Sequence, residues 1–390
     1  MMSPWHDRHP STISDWDDER RRARLRESRL GHDRQTLRRT RRVLLRLLAV
    51  LVAGLILFVQ YWSNDVHPEQ MRLARTAPAV LPVAEPADER DWDTVVVDLV
   101  GLGGLDASDT AESLPALRDM GVVWAIKYDN EGIDTEVIAD LITRAALMSG
   151  MKNVILVGHS MGGVIALEVG KHIHTDSDRR LVAVLLDCTP VDLNAVRPES
   201  RGRGEDMVRW MRWLPGARES RALRIAVETY ARREQFMDRH WSGSPGVRGE
   251  RLHDVVEEVL QDKIFSTDAA SNGLIEAQFL AIVAGGAVND LRALSEPADG
   301  KPRPAIVYLR PRNAASDNVV DVAYSHRVLV DEVGGVDGAL LVAFPRNTGH
   351  ANPRQRPGEY NRVITDQVLP FVQRYQTQAR STESAAAAPR

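Results

Sequence analysis

Cysteine is almost absent. Cys188 is the only one among 390 residues, so no intrachain disulfide can form. Its place at a strand end, in Leu185-Leu-Asp-Cys-Thr-Pro190, reads as core. Lysine is nearly as scarce: Lys127, Lys152, Lys171, Lys263 and Lys301 are the whole complement, and arginine carries the rest of the positive charge. A net charge of −4 supplies no overall basic field, which argues against nucleic acid as a partner. Phosphate-binding signatures are missing too. Gly101-Leu-Gly-Gly104 lacks the Gly-x-Gly-x-x-Gly spacing and no Walker lysine follows, so no nucleotide cofactor is expected. No metal is expected either. His172 and His174 read as a solvated last turn of a helix, whereas a metal site needs three or four converging ligands.

Positive charge is concentrated at one end. Residues 1–42 hold twelve arginines, several in Arg20-Arg-Arg22 and Arg38-Arg-Thr-Arg-Arg42, tempered by Asp15, Asp17, Asp18 and Glu19. Val43 to Trp62 is then nearly unbroken apolar sequence. About 20 helical residues at ~1.5 Å each cross the hydrocarbon core of a bilayer. Arg46, one turn inside, can snorkel to the headgroups, and Tyr61 and Trp62 suit the far interface. The arm is too long for a signal peptide, and no Ala-x-Ala follows directly. Residues 43–62 therefore read as a single transmembrane helix. The positive-inside rule puts the arm, 1–42, in the cytoplasm and the remainder outside a bacterial cell membrane. Residues 63–92 read as a linker, extended and semi-stiff over the Pro/Ala-rich 77–87. Residues 376–390, rich in Ala, Ser, Thr and Gln, read as a disordered tail.

Between these flanks the chain alternates strand and helix. Strands read at about 94–100, 122–128, 153–158, 181–187, 304–310 and 339–344. Helices read at about 108–120, 134–149, 161–173, 319–333 and 359–375. Such alternation implies an α/β fold with a parallel sheet and helices on both faces. The sharpest signal lies in Asn153-Val-Ile-Leu-Val-Gly-His-Ser-Met-Gly-Gly163. An apolar, β-branched strand stops at Gly-x-Ser-x-Gly and a helix begins at once, which is the nucleophile elbow of a serine hydrolase. So sharp a corner forces Ser160 into a sparsely populated conformation with its hydroxyl pushed outward. Gly158 and Gly162 are needed because a Cβ would clash where strand and helix pass, and Gly163 keeps the first helical turn thin. His159 and Met161 fill the two variable positions. The helix N-terminus offers unpaired N–H groups to a developing negative charge.

On these residues the chain resembles the α/β-hydrolase superfamily, of the serine lipase/esterase type, over about residues 93–375. The resemblance implies a three-layer fold with a mostly parallel sheet of about six strands, lacking the first two antiparallel strands. It also implies the chain order Ser, then acid, then His. His350, in the loop after the strand at Ala339–Phe344, is the expected base. Asp317 is the expected acid, with Asp321, which stands where a proline is usual, as the alternative. Asp317 could also cap the helix that follows. The oxyanion donors would be the N–H groups of Met161 and of Leu102, in the loop after the strand at Thr94–Leu99. Val100 replaces the histidine usual in that loop, which leaves its bracing unexplained.

Residues 191–303 exceed any loop and carry helical periodicity at 205–214, 219–238, 247–263 and 271–283. The resemblance implies a lid or cap. Met207, Trp210, Met211 and Leu214 share a face, either as a core-packing stripe or as an acyl-binding gate. The expected function is a membrane-anchored serine hydrolase cleaving a small-molecule or lipid acyl ester or thioester through an acyl-enzyme on Ser160. An envelope acyltransferase using the same residues, or a catalytically silent scaffold, are the alternatives.

Overall fold

A computed structural model describes residues 21–24, 29–238, 246–266, 269–334 and 339–387. Residues 1–20 and 25–28 of the basic arm, and 388–390 of the tail, lie outside the described residues. The chain divides into two units, 1–64 and 65–390. The first is dominated by helix α1, Arg29–Tyr61. Its apolar side chains point outward all round: Leu44, Leu47, Leu51 and Leu55 are each more than half exposed. The span Thr36–Leu73 is long and apolar enough to cross a membrane.

The second unit is built on a seven-stranded sheet: β1 Ala79–Ala84, β2 Thr94–Leu99, β3 Val122–Lys127, β4 Asn153–His159, β5 Arg180–Asp187, β6 Ala305–Leu309 and β7 Leu340–Ala343. Their order is β1-β3-β2-β4-β5-β6-β7, with β1 antiparallel and the rest parallel. Both faces are covered, which is why β2, β4 and β5 are continuous apolar runs rather than alternating ones. Val154 and Leu156 of β4 pack into one layer, and Ile155 and Val157 into the other. Each such side chain contributes roughly 1.5–3 kcal/mol by leaving water.

The first layer is closed by helices α2 Thr135–Met148, α3 Met161–Asp176, α8 Ala287–Leu294 and α9 Val322–Val333. Lys171 of α3 and Asp290 of α8 are joined by a 2.8 Å ion pair. The second is closed by residues 107–120 and by the C-terminal helical segments, through Tyr360, Val363, Ile364, Phe371 and Val372.

Three expectations change. β1 lies within the expected linker, and with it the sheet of about six strands numbers seven. Pro82 is tolerated because β1 is an edge strand, and its register with β3 slips between Pro82 and Ala84. The tail is helical to Ala387 instead of disordered. Gln376 donates to the Met120 carbonyl at 2.8 Å, and Arg380 grips Asp91 and Asp93 at 3.0 and 2.8 Å. His174 is fully buried rather than solvated. Its Nε2 donates to the Glu296 carbonyl at 2.9 Å, and burial lowers its pKa.

The insertion holds helices α4 Pro198–Trp213, α5 Arg221–Ala231, α6 Gly249–Val259 and α7 Asn272–Val283, then α8. Helix α4 starts earlier than its periodicity suggests. Pro198 supplies a first-turn residue without a needed N–H. Gly204 then allows close approach: a Cβ there would collide with the Phe279 ring of α7.

Candidate active site

Ser160 sits between the last residue of β4 and the first of α3, at φ 54° and ψ −120°. That left-handed strain is held by two main-chain bonds. The Ser160 N–H donates to the Asp187 carbonyl at 2.7 Å, and the Gly163 N–H to the Ser160 carbonyl at 3.0 Å. The glycines serve close approach. A Cβ on Gly158 would come within 2.5 Å of Gly163 Cα, and one on Gly162 would enter the Leu99 carbonyl.

The structure brings Ser160, His350 and Asp317 together from three distant segments. Ser160 Oγ lies 2.8 Å from His350 Nε2, and His350 Nδ1 lies 2.9 Å from Asp317 Oδ2. With the proton on Nδ1, that nitrogen donates to Asp317 and Nε2 accepts from the hydroxyl. Asp317 is fully buried. Burial alone would raise its pKa. The hydrogen bond and charge of His350, with N–H donors from Val320 and Val319, more than offset that and hold it below the ordinary value. Asp321 stands apart from the histidine. Its carboxylate caps α9 through the N–H groups of Ala323 and Tyr324, both at 3.1 Å. The capping role considered for Asp317 thus falls to Asp321.

The amides of Leu102 and Met161 donate to no protein acceptor among the described residues. The loop carrying Leu102 is braced by residues the sequence did not single out. Gln278 of α7, fully buried, accepts from the Gly103 N–H and donates to the Gly104 carbonyl, both at 2.8 Å. Tyr128 Oη donates to the Val100 carbonyl at 3.1 Å. The acid's loop is held from the insertion as well: Arg197, just before α4, donates to the carbonyls of Asp317 and Ala314 at 2.7 and 3.0 Å.

Beneath Ser160 lies a buried charge cluster. His159 Nδ1 donates to Asp187 Oδ2 at 2.9 Å, and Nε2 is 3.1 Å from Asp98 Oδ1. Burial disfavours its cation, but the Asp98 charge and the Asp187 hydrogen bond prevail and lift its pKa to about 10. His159 is therefore an imidazolium, not a neutral filler. An acid inside the apolar run Thr94–Leu99 was the available sign, since a buried carboxylate needs a partner.

A cavity of about 540 Å³ opens over Ser160 and His350. Its walls are largely apolar, with Val100, Leu102, Met207, Phe279, Ile282 and Val319, and Arg203 stands among them. Met207 faces this cavity, whereas Trp210 and Trp213 are 63% and 75% exposed, and no residue of α4 is fully buried. Of the stripe, Met207, Met211 and Leu214 are half-buried, Trp210 is exposed, and Met207 lines the cavity. Cys188 Sγ lies within 4.8 Å of the ligand atoms of Asp317 and His350. Burial, and the charges of Asp187 and Asp317, keep that thiol protonated, a poor donor for a metal.

The Alpha/beta hydrolase family model matches residues 49–363. No curated protein matches the chain. Similar solved structures include a carboxylesterase of the thaumarchaeon Nitrososphaera gargenis, at 14% identity, covering 78% of this chain and 97% of that one, with a TM-score of 0.46. The monoacylglycerol lipase of Paleococcus ferrophilus is 14% identical, with 76% and 99% covered and a TM-score of 0.45. The proline iminopeptidase of Mycobacterium smegmatis is 12% identical, with 79% and 98% covered and a TM-score of 0.43.

Proposed function

The chain belongs to the alpha/beta hydrolase family, and from that premise we propose a membrane-anchored serine hydrolase that cleaves carboxylic esters or thioesters. The observation that carries the reading is the unbroken relay Ser160–His350–Asp317, with separations of 2.8 and 2.9 Å. His350 takes the Ser160 proton as Oγ attacks the acyl carbon. Asp317 keeps the imidazole in the required tautomer and stabilises its cation. The Met161 and Leu102 amides receive the charge that develops on the carbonyl oxygen. The imidazolium then protonates the leaving alcohol or thiol. Water, activated by the same ring, releases the acid from Ser160.

The apolar walls over Ser160 favour a fatty-acyl chain over a polar acyl group. Anchoring by residues 43–62 would raise the local concentration of a lipid substrate. The arginine-rich arm belongs on the cytoplasmic side and the catalytic unit outside. A fluorophosphonate probe tests the reading. Wild type should label covalently and Ser160→Ala should not, and a p-nitrophenyl ester series should identify a preferred chain length. Folded wild-type protein that neither labels nor turns over any ester would overturn it.

A further inference from the structure

A hydrogen-bonded chain runs from the buried cluster under Ser160 to the loop that carries His350. Asp187 is its pivot. The backbone carbonyl of Asp187 accepts from Ser160, Oδ2 accepts from His159, and Oδ1 accepts from the Tyr360 hydroxyl at 3.0 Å. That hydroxyl also accepts from the Asn352 N–H at 3.3 Å, and Asn352 Oδ1 accepts from the Gly349 N–H at 3.2 Å. Gly349 and Ala351 flank His350. Tyr360 is 1% exposed and Asp187 fully buried, so the bond between them is shielded from water.

Two further observations say the chain matters. The His350 loop is strained: Asn347 and Ala351 have φ of 52° and 33°, conformations that persist only when surrounding contacts over-determine them. The cluster is also costly. Neither Asp98 oxygen meets a hydrogen-bond donor in good geometry, although its carboxylate lies 3.1 Å from the His159 ring. Asp98 and Asp187 are the titratable groups that act on that ring; Tyr128 lies by Asp98, and Tyr360 and Cys188 by Asp187. An apolar residue at 159 would leave Asp98 and Asp187 buried without a counter-charge, so the ring and the two acids stand or fall together.

We propose that His159, Asp187, Tyr360 and Asn352 form a positioning network that holds the Ser160 corner and the His350 loop in register with each other. None of the four touches the reacting atoms in this arrangement. They act by fixing the Oγ to Nε2 separation. The proposal rests on the hydrolase reading for its kinetic arm only.

The test uses the full chain in detergent and the variant Tyr360→Phe, which deletes one hydroxyl and keeps the ring. Its kcat for a p-nitrophenyl ester should fall about tenfold with KM within about twofold. The downfield proton resonance of His350 Nδ1 should shift or broaden. A merely structural tyrosine would lower the melting temperature and leave both readouts of the folded protein unmoved, and that result overturns the network. A change in either readout supports it. Asn352→Ala, in the loop, serves with the same criteria if Tyr360→Phe does not fold. If wild type fails to label with fluorophosphonate, the hydrolase reading falls separately, and the resonance alone decides the network.

Discussion

Replacing Asp317 with asparagine should disable the base by turning its ring chemistry around. Asp317 Oδ1 accepts two main-chain N–H groups, from Val319 at 2.9 Å and Val320 at 2.8 Å. An amide nitrogen cannot take that place, so in Asp317→Asn the oxygen stays there and the NH2 group faces His350. Nδ1 must then accept, which puts the imidazole proton on Nε2, pointing at Ser160 Oγ. The hydroxyl loses its acceptor. The lost charge matters as well. At 2.9 Å and an effective dielectric constant of about 20, a carboxylate–imidazolium pair is worth at most about 6 kcal/mol, or about four decades in rate. The expected result is a kcat lower by about 10³–10⁴ with KM within about twofold, read by steady-state ester hydrolysis. Asp321→Asn is the control. Asparagine caps a helix as well as aspartate does, so kcat should stay within about twofold. Retention of more than about a tenth of kcat by Asp317→Asn, or transfer of the loss to Asp321→Asn, would refute this account.

Four other outcomes follow from the same structure. Gln278→Ala should lower kcat about tenfold or more by loosening the loop that presents the Leu102 amide, and unchanged turnover would dissociate that loop from the oxyanion. Gly162→Ala should cost about 1–3 kcal/mol or more in denaturant unfolding, because its Cβ meets main-chain carbonyls that cannot retreat, and an unmoved midpoint would contradict the packing. His159 has a folded pKa near 10, above its unfolded value of about 6.5, so the stability it adds is complete below that lower value and lost as pH rises through the higher one. Thermal melts should decline over that window in wild type and less so in His159→Gln; parallel profiles would refute the buried imidazolium. The full chain should stay in the membrane pellet after alkaline carbonate extraction, and its release would argue against a spanning helix.

The parallel strands were legible because burial on both faces leaves an apolar, β-branched run that few other structures produce. Strand β1 was not. Ala79-Val-Leu-Pro-Val-Ala84 has little intrinsic strand preference, and only pairing with β3 makes it one. The continuation of the C-terminal helix past residue 375 was missed for a similar reason: it is held by Arg380 and Gln376 reaching residues nearly three hundred and more than two hundred positions away. Within the site, the elbow announces itself because its glycines and serine are local in the chain. Gln278 does not, since a glutamine in a helix carries no mark of the loop 174 positions earlier that it holds. The acids around His159 fall between. Asp98 and Asp187 each stand out in an apolar strand, but only the adjacency of β2, β4 and β5 shows that they enclose one ring.

That Gln278 and Arg197 hold two loops of the candidate site from within the helical insertion matters for engineering. Substrate preference in such a molecule invites exchange of its helical roof for one from another hydrolase. Here that graft would also pull out the two pins holding the loop of Leu102 and the loop of Asp317. A transplanted roof would have to bring its own glutamine and arginine at matching heights, or the chimera would gain selectivity at the expense of speed.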